Sequence, residues 1–398
     1  MRLLVLGAGP AQLGLLAAAR RLGLTVVAAD RDPSAPGFRF ADRRAIVSVE
    51  DEPALDRLAR AEDVDGLATA GSDRAVGIAA RIADRLGLAH PVPAEIASRA
   101  VSPLRRRDLL AAAHVSQTEA AVARSIAEAV AAAGRLGFPC RIRAADRPGV
   151  DRVVRNRAEV EPAFASVLAD ARSDLCLVEA LPAGPRLAVS GFLLDGRLRV
   201  AAVTLREPDL GVALAYSWPV AGEPAHVAGA VEASRASAAA FGVTDGAFHV
   251  ELVASDEGPV VAEATPRLGG GHDGELARVA VGVDLNEAVA RSAVGEPVAA
   301  GTLVPSARVG GACVRFLVAP PGELRDVAGL MEAFGLDGIR GIRVYRRPGH
   351  VFGELARAGD RAGAVLAVGN DRDEALARAD RAARLIRFRT AAVARAAG

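Results

Sequence analysis

The chain has 398 residues, enough for two or three domains, and its 51% hydrophobic and 24% charged residues are ordinary for a globular protein. A net charge of +1 gives no indication of nucleic acid or an anionic membrane as a partner. No apolar run reaches the roughly 18 residues of a membrane span. All 49 basic residues are arginine, which GC-rich coding, selection against reactive amines or chance could each explain; we favour GC-rich coding.

The cysteines and the N-terminus bear on location. Cys140, Cys176 and Cys313 lie inside apolar runs without metal-binding spacing, which predicts buried free thiols in a reducing cytosol. The first residues, MRLLVLGAGP, lack the length and cleavage site of a signal peptide. We therefore expect a cytoplasmic protein.

The N-terminal region alternates short apolar strands with helical segments. RLLVL is followed by a helix from Leu13 to Leu22 and by LTVVAAD, a βαβ pattern that predicts a parallel sheet continuing to about residue 95. Its Gly7-x-Gly9 run has Gln12 where a dinucleotide fingerprint places its third glycine, so we interpret the run as a turn. We also expect Asp30 to shape the turn after the second strand.

A helix and a group of paired strands follow. Ser102 and Pro103 predict a helix start, and the helix to Ala113 carries Arg105 to Arg107, which we expect to be solvated. From Phe138 onward the pattern changes to strands, one of which, ending at Arg143, runs into a charged loop that contains a glycine. Asp195-Gly196 predicts a tight hairpin turn.

The strongest constellation is HVELVASDEGPVVAEATPRLGGGHDGEL. His249 and Glu251 are two residues apart on one predicted strand and share a face, and Glu263 lies on the partner strand. Facing carboxylates repel unless a cation lies between them, and Mg²⁺ prefers one or two carboxylates together with substrate phosphates. Arg267 follows, and the glycine run would let backbone approach an anion. The alternative is a surface hairpin with solvated acids.

These residues carry a family resemblance. VVAEATPRLGGGH and VGVDL resemble the metal-binding hairpin of the ATP-grasp superfamily, and are most similar to the carboxylate–amine ligase branch that includes the L-amino-acid ligases. LLVLGAGPAQLGLLAAARRLGLTVVAADRDPSAPG resembles its preATP-grasp domain, GFPCRIRAADRPGV its ATP lid and LCLVEALPAGPRLAVSGFLLDGRL its adenine hinge. The tail, from RFLVAPPGELRDVAGL to GDRAGAVLAVGNDRDEALARADRA, resembles the C-terminal extension of that branch. The resemblance implies an α/β fold with an α+β lid over nearly the whole chain.

The resemblance also implies a division into four parts. They are a Rossmann-like preATP-grasp domain (1–98), a lid with a linker helix (99–205), a metal-binding core (206–308) and a C-terminal extension (309–398).

Site residues follow from the matched positions. Glu179 and Leu181 stand at the adenine hinge, and Arg186 stands at the position of the ribose acid, with its charge reversed. Arg143 stands at a phosphate-binding lysine, and guanidinium binds phosphate well. Arg267 is implied to stabilise the reacting phosphoryl group or the substrate carboxylate.

The metal end of the site matches more closely than the phosphate end. Glu251 and Glu263 stand at the Mg²⁺ positions, while Thr265 replaces a metal-binding asparagine. Pro103 falls at the first phosphate-binding lysine, with Arg105 or Arg106 one turn later as the nearby substitute. The lid loop is shortened, and Pro148 removes one of its backbone donors.

Candidate substrate contacts are less specific. Ser72 follows a strand at the carboxyl end of the predicted sheet, where ligands often bind, and could contact the amine or carboxylate substrate. His272 follows the glycine run and could face the substrate or cap the next helix. His249 could pair with Glu251 or pack beneath the hairpin.

Together these features predict an ATP- and Mg²⁺-dependent ligase that joins a small-molecule carboxylate to an amine through an acyl phosphate. The resemblance suggests amino-acid-like substrates and a possible homodimer. The alternative is a catalytically degenerate homologue that binds a small molecule or a partner protein.

Overall fold

A computed structural model describes residues 1–147, 149–207, 212–222 and 224–392. Pro148, whose missing backbone donor the sequence analysis noted, lies outside them.

The N-terminal region is the predicted parallel sheet. Its elements are β1 (Arg2–Leu6), α1 (Leu13–Arg21), β2 (Thr25–Ala29), β3 (Arg43–Ala45), α2 (Glu52–Ala61), β4 (Gly66–Ala68) and α3 (Asp73–Leu86). The strands lie in the order β3-β2-β1-β4 and all pair in parallel. β1, β2 and β4 are almost wholly buried, because parallel sheets are covered on both faces.

Two helices lead into the lid: α4 (Ala94–Ala100) and α5 (Pro103–Ala112). The Ser102 hydroxyl accepts a hydrogen bond from the Arg105 amide at 3.4 Å, so the predicted N-cap is confirmed. The lid elements are β5 (Ala120–Ala123), α6 (Ile126–Leu136), β6 (Cys140–Ala144), β7 (Asp151–Val154), α7 (Val160–Asp170) and β8 (Cys176–Ala180). The lid strands form an antiparallel sheet in the order β5-β8-β6-β7, with both helices packed against it.

The remaining strands build one large antiparallel sheet and one small one. They are β9 (Arg186–Leu194), β10 (Arg197–Glu207), β11 (Ala215–Trp218), β12 (Gly246–Ser255), β13 (Gly258–Thr265), β14 (Gly311–Leu317), β15 (Gly322–Ala328), β16 (Ile339–Val344), β17 (Val351–Phe352), β18 (Gly363–Gly369) and β19 (Arg387–Ala391). The large sheet has the order β13-β12-β9-β10-β11-β14-β18-β16, and the small one β17-β15-β19. The helices of this part are α8 (Pro224–Phe241), α9 (Asp273–Val281), α10 (Leu285–Ala293), α11 (Leu330–Phe334) and α12 (Arg372–Leu385).

The large sheet crosses the predicted division of the chain. The β9–β10 hairpin falls in the part assigned to the lid, yet β9 pairs with β12 of the metal-binding core. β14, β16 and β18 of the C-terminal extension belong to the same sheet. The four-part division therefore stays a prediction, and the core and the C-terminal extension share one continuous layer.

The hairpin of β12 and β13 contains an irregularity. Glu251 lies opposite Glu263, but the next pair is Leu252 with Val261, so Ala262 is an extra residue on β13. Such a β-bulge bends the strand locally and is common beside active sites.

Two expectations from composition can be compared with the described residues. Within them, no helix is both long and apolar enough to cross a membrane. All three cysteines are buried and unpaired, as predicted, and burial raises the pKa of Cys176, with a further contribution from Asp146, to about 11.

Candidate active site

The two acids of the β12–β13 hairpin face each other as predicted, and arginine binds each of them. Glu251 and Glu263 are direct cross-strand partners, so both project from one face of the sheet. Arg206, on β10, places Nη1 2.7 Å from Oε2 of Glu251, and its guanidinium lies 4.5 Å from the centroid of the Tyr216 ring. Burial would raise the pKa of Glu251, but Arg206 outweighs it and holds that pKa well below its ordinary value.

Glu263 is shared by three arginines from different parts of the chain. Its Oε1 lies 3.3 Å from Nη2 of Arg267 and 3.5 Å from Nη1 of Arg106, and its Oε2 lies 3.8 Å from Nη2 of Arg143. Arg267 follows β13, Arg106 belongs to the linker helix and Arg143 to the lid. The hairpin acid is therefore the point where core, linker and lid meet.

Asp73, the first residue of α3, connects the N-terminal domain to the same point. Arg106 donates to it at 2.7 Å, and Arg267 donates from Nε to its other oxygen. The Asp73 side chain is only 1% exposed. Burial would raise its pKa, but Arg267 and Arg106 more than compensate and lower it, so Asp73 is an ionised buried acid.

The expectation that Arg105 to Arg107 form a solvated face is wrong for two of them. Arg106 is 3% exposed because Asp73 and Glu263 bind it inside the protein. Arg107 is partly buried and donates to the Thr118 carbonyl oxygen at 2.6 Å. Of the two arginines considered as substitutes for the lysine expected at Pro103, Arg106 is the buried one, and its partners are the acids Asp73 and Glu263.

The hinge residues adjoin the same cluster. Glu179, on β8, lies 3.6 Å from Nη1 of Arg143 and 3.3 Å from Nη1 of Arg107. Leu181 is half-buried directly after β8. Arg186 opens β9 and lies in register with Arg206, so it projects from the face that carries Glu251. We call the group joined through Glu263 and Arg143 the cleft network; its members are Asp73, Arg106, Arg143, Glu179, Glu263 and Arg267.

His272 belongs to a second cluster. One of its ring nitrogens contacts Glu275, and the other lies 2.5 Å from the Tyr345 hydroxyl. Arg343 donates to Glu275 at 3.3 Å. We call His272, Glu275, Arg343 and Tyr345 the C-terminal network, because it joins α9 to the C-terminal extension. His272 holds the N-cap position of α9, but its ring makes no capping hydrogen bond.

The C-terminal network is closed to substrate-sized molecules. A cavity of about 10 Å³ beside it has room for one water molecule at most. Burial would raise the pKa of Glu275, but His272 and Arg343 lower it to about 2. Burial raises the pKa of Tyr345, and the nearby Glu275 adds to the effect. Among the described residues, the His272 ring contacts Glu275 and Tyr345 and no member of the cleft network, so no contact supports its predicted role of facing the substrate.

The other predicted positions have structural partners. His249 is buried beneath the hairpin, where Ser190 lies 3.0 Å from Nδ1 and Arg206 donates to Nε2 at 3.2 Å. The backbone of the glycine run does meet an anion: the Gly271 amide donates to Asp273 at 3.1 Å. Any side chain at Gly271 would also collide with Tyr216, since its Cβ would lie 2.0 Å from Cε2.

The N-terminal glycine turn is filled by protein. Gln12 packs on Gly7 and donates to the Ala70 carbonyl oxygen at 2.6 Å, which agrees with the interpretation as a turn. Asp30 accepts from the Ala8 and Asp32 amides at 2.8 and 2.9 Å and so shapes the turn as expected. Ser72 caps α3 by accepting from the Ala75 amide at 3.3 Å.

The hairpin acids suit a hard divalent cation that also has substrate ligands. Across the described part of the chain, no group of three or more His, Cys, Asp or Glu side chains could hold a metal by itself. Mg²⁺ commonly needs only one or two carboxylates plus phosphate oxygens, which Glu251 and Glu263 could provide for it. Thr265 is fully buried and adds no exposed ligand. The residues present therefore fit Mg²⁺ accompanied by a nucleotide.

Sequence reasoning did not find Arg206 and did not predict the ionic partners of Asp73. Arg206 aligns with Arg186 across a hairpin whose turn was recognised, but a β-bulge between Val200 and Ala202 shifts the register, so counting from Asp195-Gly196 would have paired Leu205 with Arg186 instead. For Asp73 the sequence indicates only a place beside Ser72, after the strand, as a possible substrate contact. No local sequence pattern predicts the partners of Asp73, because Arg106 and Arg267 lie 33 and 194 residues away in the chain.

Comparisons with known proteins find similar sequences. Residues 315–391 match the L-amino acid ligase C-terminal domain 2. The chain is 28% identical to the formate-dependent phosphoribosylglycinamide formyltransferase of Burkholderia pseudomallei, over 97% of this chain and 95% of that protein.

Solved structures show the same fold. An L-amino acid ligase from Bacillus licheniformis superposes with a TM-score of 0.82 at 18% identity, covering 98% of both chains. The biotin carboxylase domain of the 2-oxoglutarate carboxylase of Hydrogenobacter thermophilus, solved as a dimer with MgADP and bicarbonate, gives a TM-score of 0.77 at 17% identity, covering 98% of this chain and 90% of that one. These similarities show the fold of the chain and agree with its resemblance to the carboxylate–amine ligase branch of the ATP-grasp superfamily.

Proposed function

We propose that this protein is an ATP-dependent ligase that activates a carboxylate as an acyl phosphate and transfers the acyl group to an amine. The observation that carries the proposal is the facing pair Glu251 and Glu263, surrounded by arginines from the lid, the linker and the core. The relative in Burkholderia is named for a formate-dependent formyl transfer, which likewise joins a carboxylate to an amine.

Each group of the site has a role in this proposal. The carboxylate substrate attacks the γ-phosphorus of ATP and ADP leaves; the amine then attacks the acyl carbon and phosphate leaves. Glu251 and Glu263 would hold Mg²⁺, which when bound neutralises charge on the transferring phosphoryl group. Arg143 is within 3.8 Å of Glu263 and can turn its guanidinium to the phosphates, since Arg binds phosphate in a bidentate manner.

Arg267 and Asp73 act as a pair. Asp73 fixes the Arg267 guanidinium through Nε, which leaves the terminal nitrogens directed at Glu263 and the reacting groups. A guanidinium held in this way needs no reorganisation when negative charge develops on the acyl phosphate, and that is how preorganised donors lower a barrier.

A second candidate is a homologue that binds small molecules without catalysis. The observation that favours it is the 2.7 Å pair of Arg206 with Glu251, because a guanidinium in that position competes with a metal for the carboxylate. Pro103 at a lysine position points the same way.

Hydroxylamine trapping separates the two candidates. The protein is incubated with MgATP, hydroxylamine and a panel of carboxylates that includes formate and the common amino acids. Hydroxylamine converts any acyl phosphate into a hydroxamate, so the amine substrate need not be known. A ligase gives carboxylate-dependent ADP release and hydroxamate, and both should vanish in Glu263→Gln.

Binding is measured in parallel by thermal unfolding with Mg²⁺ and a non-hydrolysable ATP analogue. At about 100 times its dissociation constant, the analogue should add roughly 2.7 kcal/mol to stability. Absence of that shift together with absence of hydroxamate would refute the ligase assignment. A shift without hydroxamate would support the binding protein.

Amino-acid-like substrates and a homodimer belong to this proposal. The matched C-terminal domain is named for L-amino acid ligases, and the Hydrogenobacter relative was solved as a dimer. Cytoplasmic location likewise stays a prediction.

A further inference from the structure

A polar cavity of about 270 Å³ lies between the N-terminal sheet and the lid. Gly7 and Asp30, which follow β1 and β2, line one side, and Arg147 of the lid loop lines another. The carboxyl ends of parallel strands are where ligands bind in sheets of this kind. The volume greatly exceeds the share of one water molecule, roughly 30 Å³. The cavity can therefore hold a small organic or inorganic molecule.

Two arginines and two acids line this cavity: Arg31 and Arg147, Asp30 and Glu50. Glu50 lies 3.8 Å from Arg74, 3.8 Å from Arg147 and 3.6 Å from Arg172, so two further guanidinium groups approach the cavity through it. Within the described residues, the Arg31 side chain makes no hydrogen bond or ion pair. A guanidinium group without a partner in a concave site favours an anion.

Asp30 and Glu50 leave hydrogen-bond donors of these arginines available. Asp30 is already held by the amides of Ala8 and Asp32. The three distances from Glu50 to arginine, 3.6 to 3.8 Å, are longer than hydrogen bonds, so these guanidinium groups keep donor capacity for another oxyanion. Arg147 has one hydrogen bond, to the Asp170 carbonyl oxygen at 2.7 Å.

We propose that this cavity binds a small oxyanion, either a carboxylate or a phosphate monoester. Arg31 and Arg74 come from the N-terminal domain, whereas Arg147 and Arg172 come from the lid, so the anion joins the two. The site is distinct from the nucleotide site proposed above, because neither Arg143 nor Glu263 lines it. It adjoins that site through α3, where Ser72 lines the cavity and Asp73 belongs to the cleft network.

The test is calorimetric titration of the full chain with inorganic phosphate and, separately, with acetate, in a buffer free of other oxyanions. Arg147→Gln and Arg31→Gln should each weaken phosphate binding by about tenfold, the usual effect of one charge-assisted bond. Glu50→Gln should strengthen it, because it removes the competing carboxylate. Arg152→Gln is the matched control, since Arg152 is an exposed lid arginine whose side chain, among the described residues, donates only to the Asp151 carbonyl oxygen.

Two results would overturn the proposal. One is phosphate binding that Arg147→Gln leaves unchanged and Arg143→Gln abolishes, which would mean that phosphate occupies the nucleotide site. The other is no saturation by either probe below about 10 mM. Titration with a non-hydrolysable ATP analogue distinguishes failure of this proposal from failure of the ligase assignment. Arg143→Gln should weaken binding of the analogue and leave phosphate binding unchanged, and Arg31→Gln should do the reverse. The ratio of phosphate to acetate affinity identifies the preferred oxyanion.

Discussion

This protein has two buried charged clusters that both contain glutamate and arginine but differ in how closely their side chains are bonded. In the cleft network, each acid faces arginines from two or more elements, at distances that extend to 3.8 Å. In the C-terminal network, Glu275 contacts His272 directly, and the His272 ring stacks 6.3 Å from Phe316 and 5.8 Å from Tyr345. In the first network the contacts around Glu263 are long and reach into the lid, although Arg106 and Arg267 hold Asp73 closely. The second network is closed.

This difference indicates how a buried charge can be assigned a role. Moving a charged group out of water costs free energy. A closed cluster in which every charged group is bonded offsets that cost through its fixed hydrogen bonds and ion pairs. An acid that makes several long contacts offsets less of this free energy through the protein alone. Such an acid can exchange a protein partner for a ligand more easily. We therefore expect mutations in the C-terminal network to reduce stability and mutations in the cleft network to reduce activity.

The largest expected effect is on stability. Glu275→Gln removes the charge that faces His272 and Arg343 in a buried site, and breaking such a pair typically costs about 3–5 kcal/mol. Urea unfolding of the variant should show this loss, while affinity for an ATP analogue stays within a few fold. Glu287→Gln, an exposed helix acid paired with Arg291, should change stability by no more than about 0.5 kcal/mol. Equal losses in both variants would contradict the distinction.

Low pH should remove most of the difference in unfolding free energy between the wild type and Glu275→Gln. The pKa of Glu275 is about 2 in the folded protein against an ordinary 4.5, so its contribution is complete above about pH 4.5 and is lost as the pH falls towards 2. The shift corresponds to roughly 3 kcal/mol at 1.36 kcal/mol per pKa unit. The stability gap between wild type and Glu275→Gln should be constant from pH 7 to 5 and narrow below. A gap unchanged at pH 3 would show that Glu275 acts through packing alone.

Glu263→Gln should reduce activity strongly and stability little, the opposite of Glu275→Gln. Partners that merely orient a metal ligand cost roughly 10–100-fold when mutated, so loss of a ligand should lower kcat/KM by more than about 100-fold, or about 2.7 kcal/mol. Its free energy of unfolding should change less than that of Glu275→Gln. Glu257→Gln, at the exposed tip of the same hairpin, is the control and should retain activity. Retained activity in Glu263→Gln would remove the metal role.

Arg143→Lys should have the smallest effect. Arg143 reaches Glu179 and Glu263 at once through different terminal nitrogens, which a lysine cannot do. We expect affinity for the ATP analogue to fall by about tenfold, or about 1.4 kcal/mol, with the unfolding midpoint nearly unchanged. Arg152→Lys on β7 should bind normally. An unaffected Arg143→Lys would mean that only charge matters at this position.

The sequence predicted local features well and long-range ones poorly. The strands, the Ser102 cap and the Asp195-Gly196 turn follow from periodicity and turn chemistry, and the structure agrees with each. The facing of Glu251 and Glu263 was also predicted, but it depends on the bulge at Ala262, which neither periodicity nor turn chemistry indicates. The burial of Arg106 could not be predicted, because a run of three arginines on a helix is normally solvated and its partner Asp73 lies in another domain. The pairing of β9 with β12 could not be predicted for a similar reason, since strand pairing is decided across the whole sheet.

The extra residue Ala262 determines whether a two-acid site exists. Were β13 regular beyond Val261, Ala262 would lie opposite Glu251, and Glu263 would lie opposite Val250. Val250 is wholly inaccessible to solvent in the hydrophobic interior, so Glu263 would be turned to the wrong side of the sheet, away from every arginine that now binds it. A single extra alanine thus brings two acids on successive strands face to face, as the proposed metal site requires.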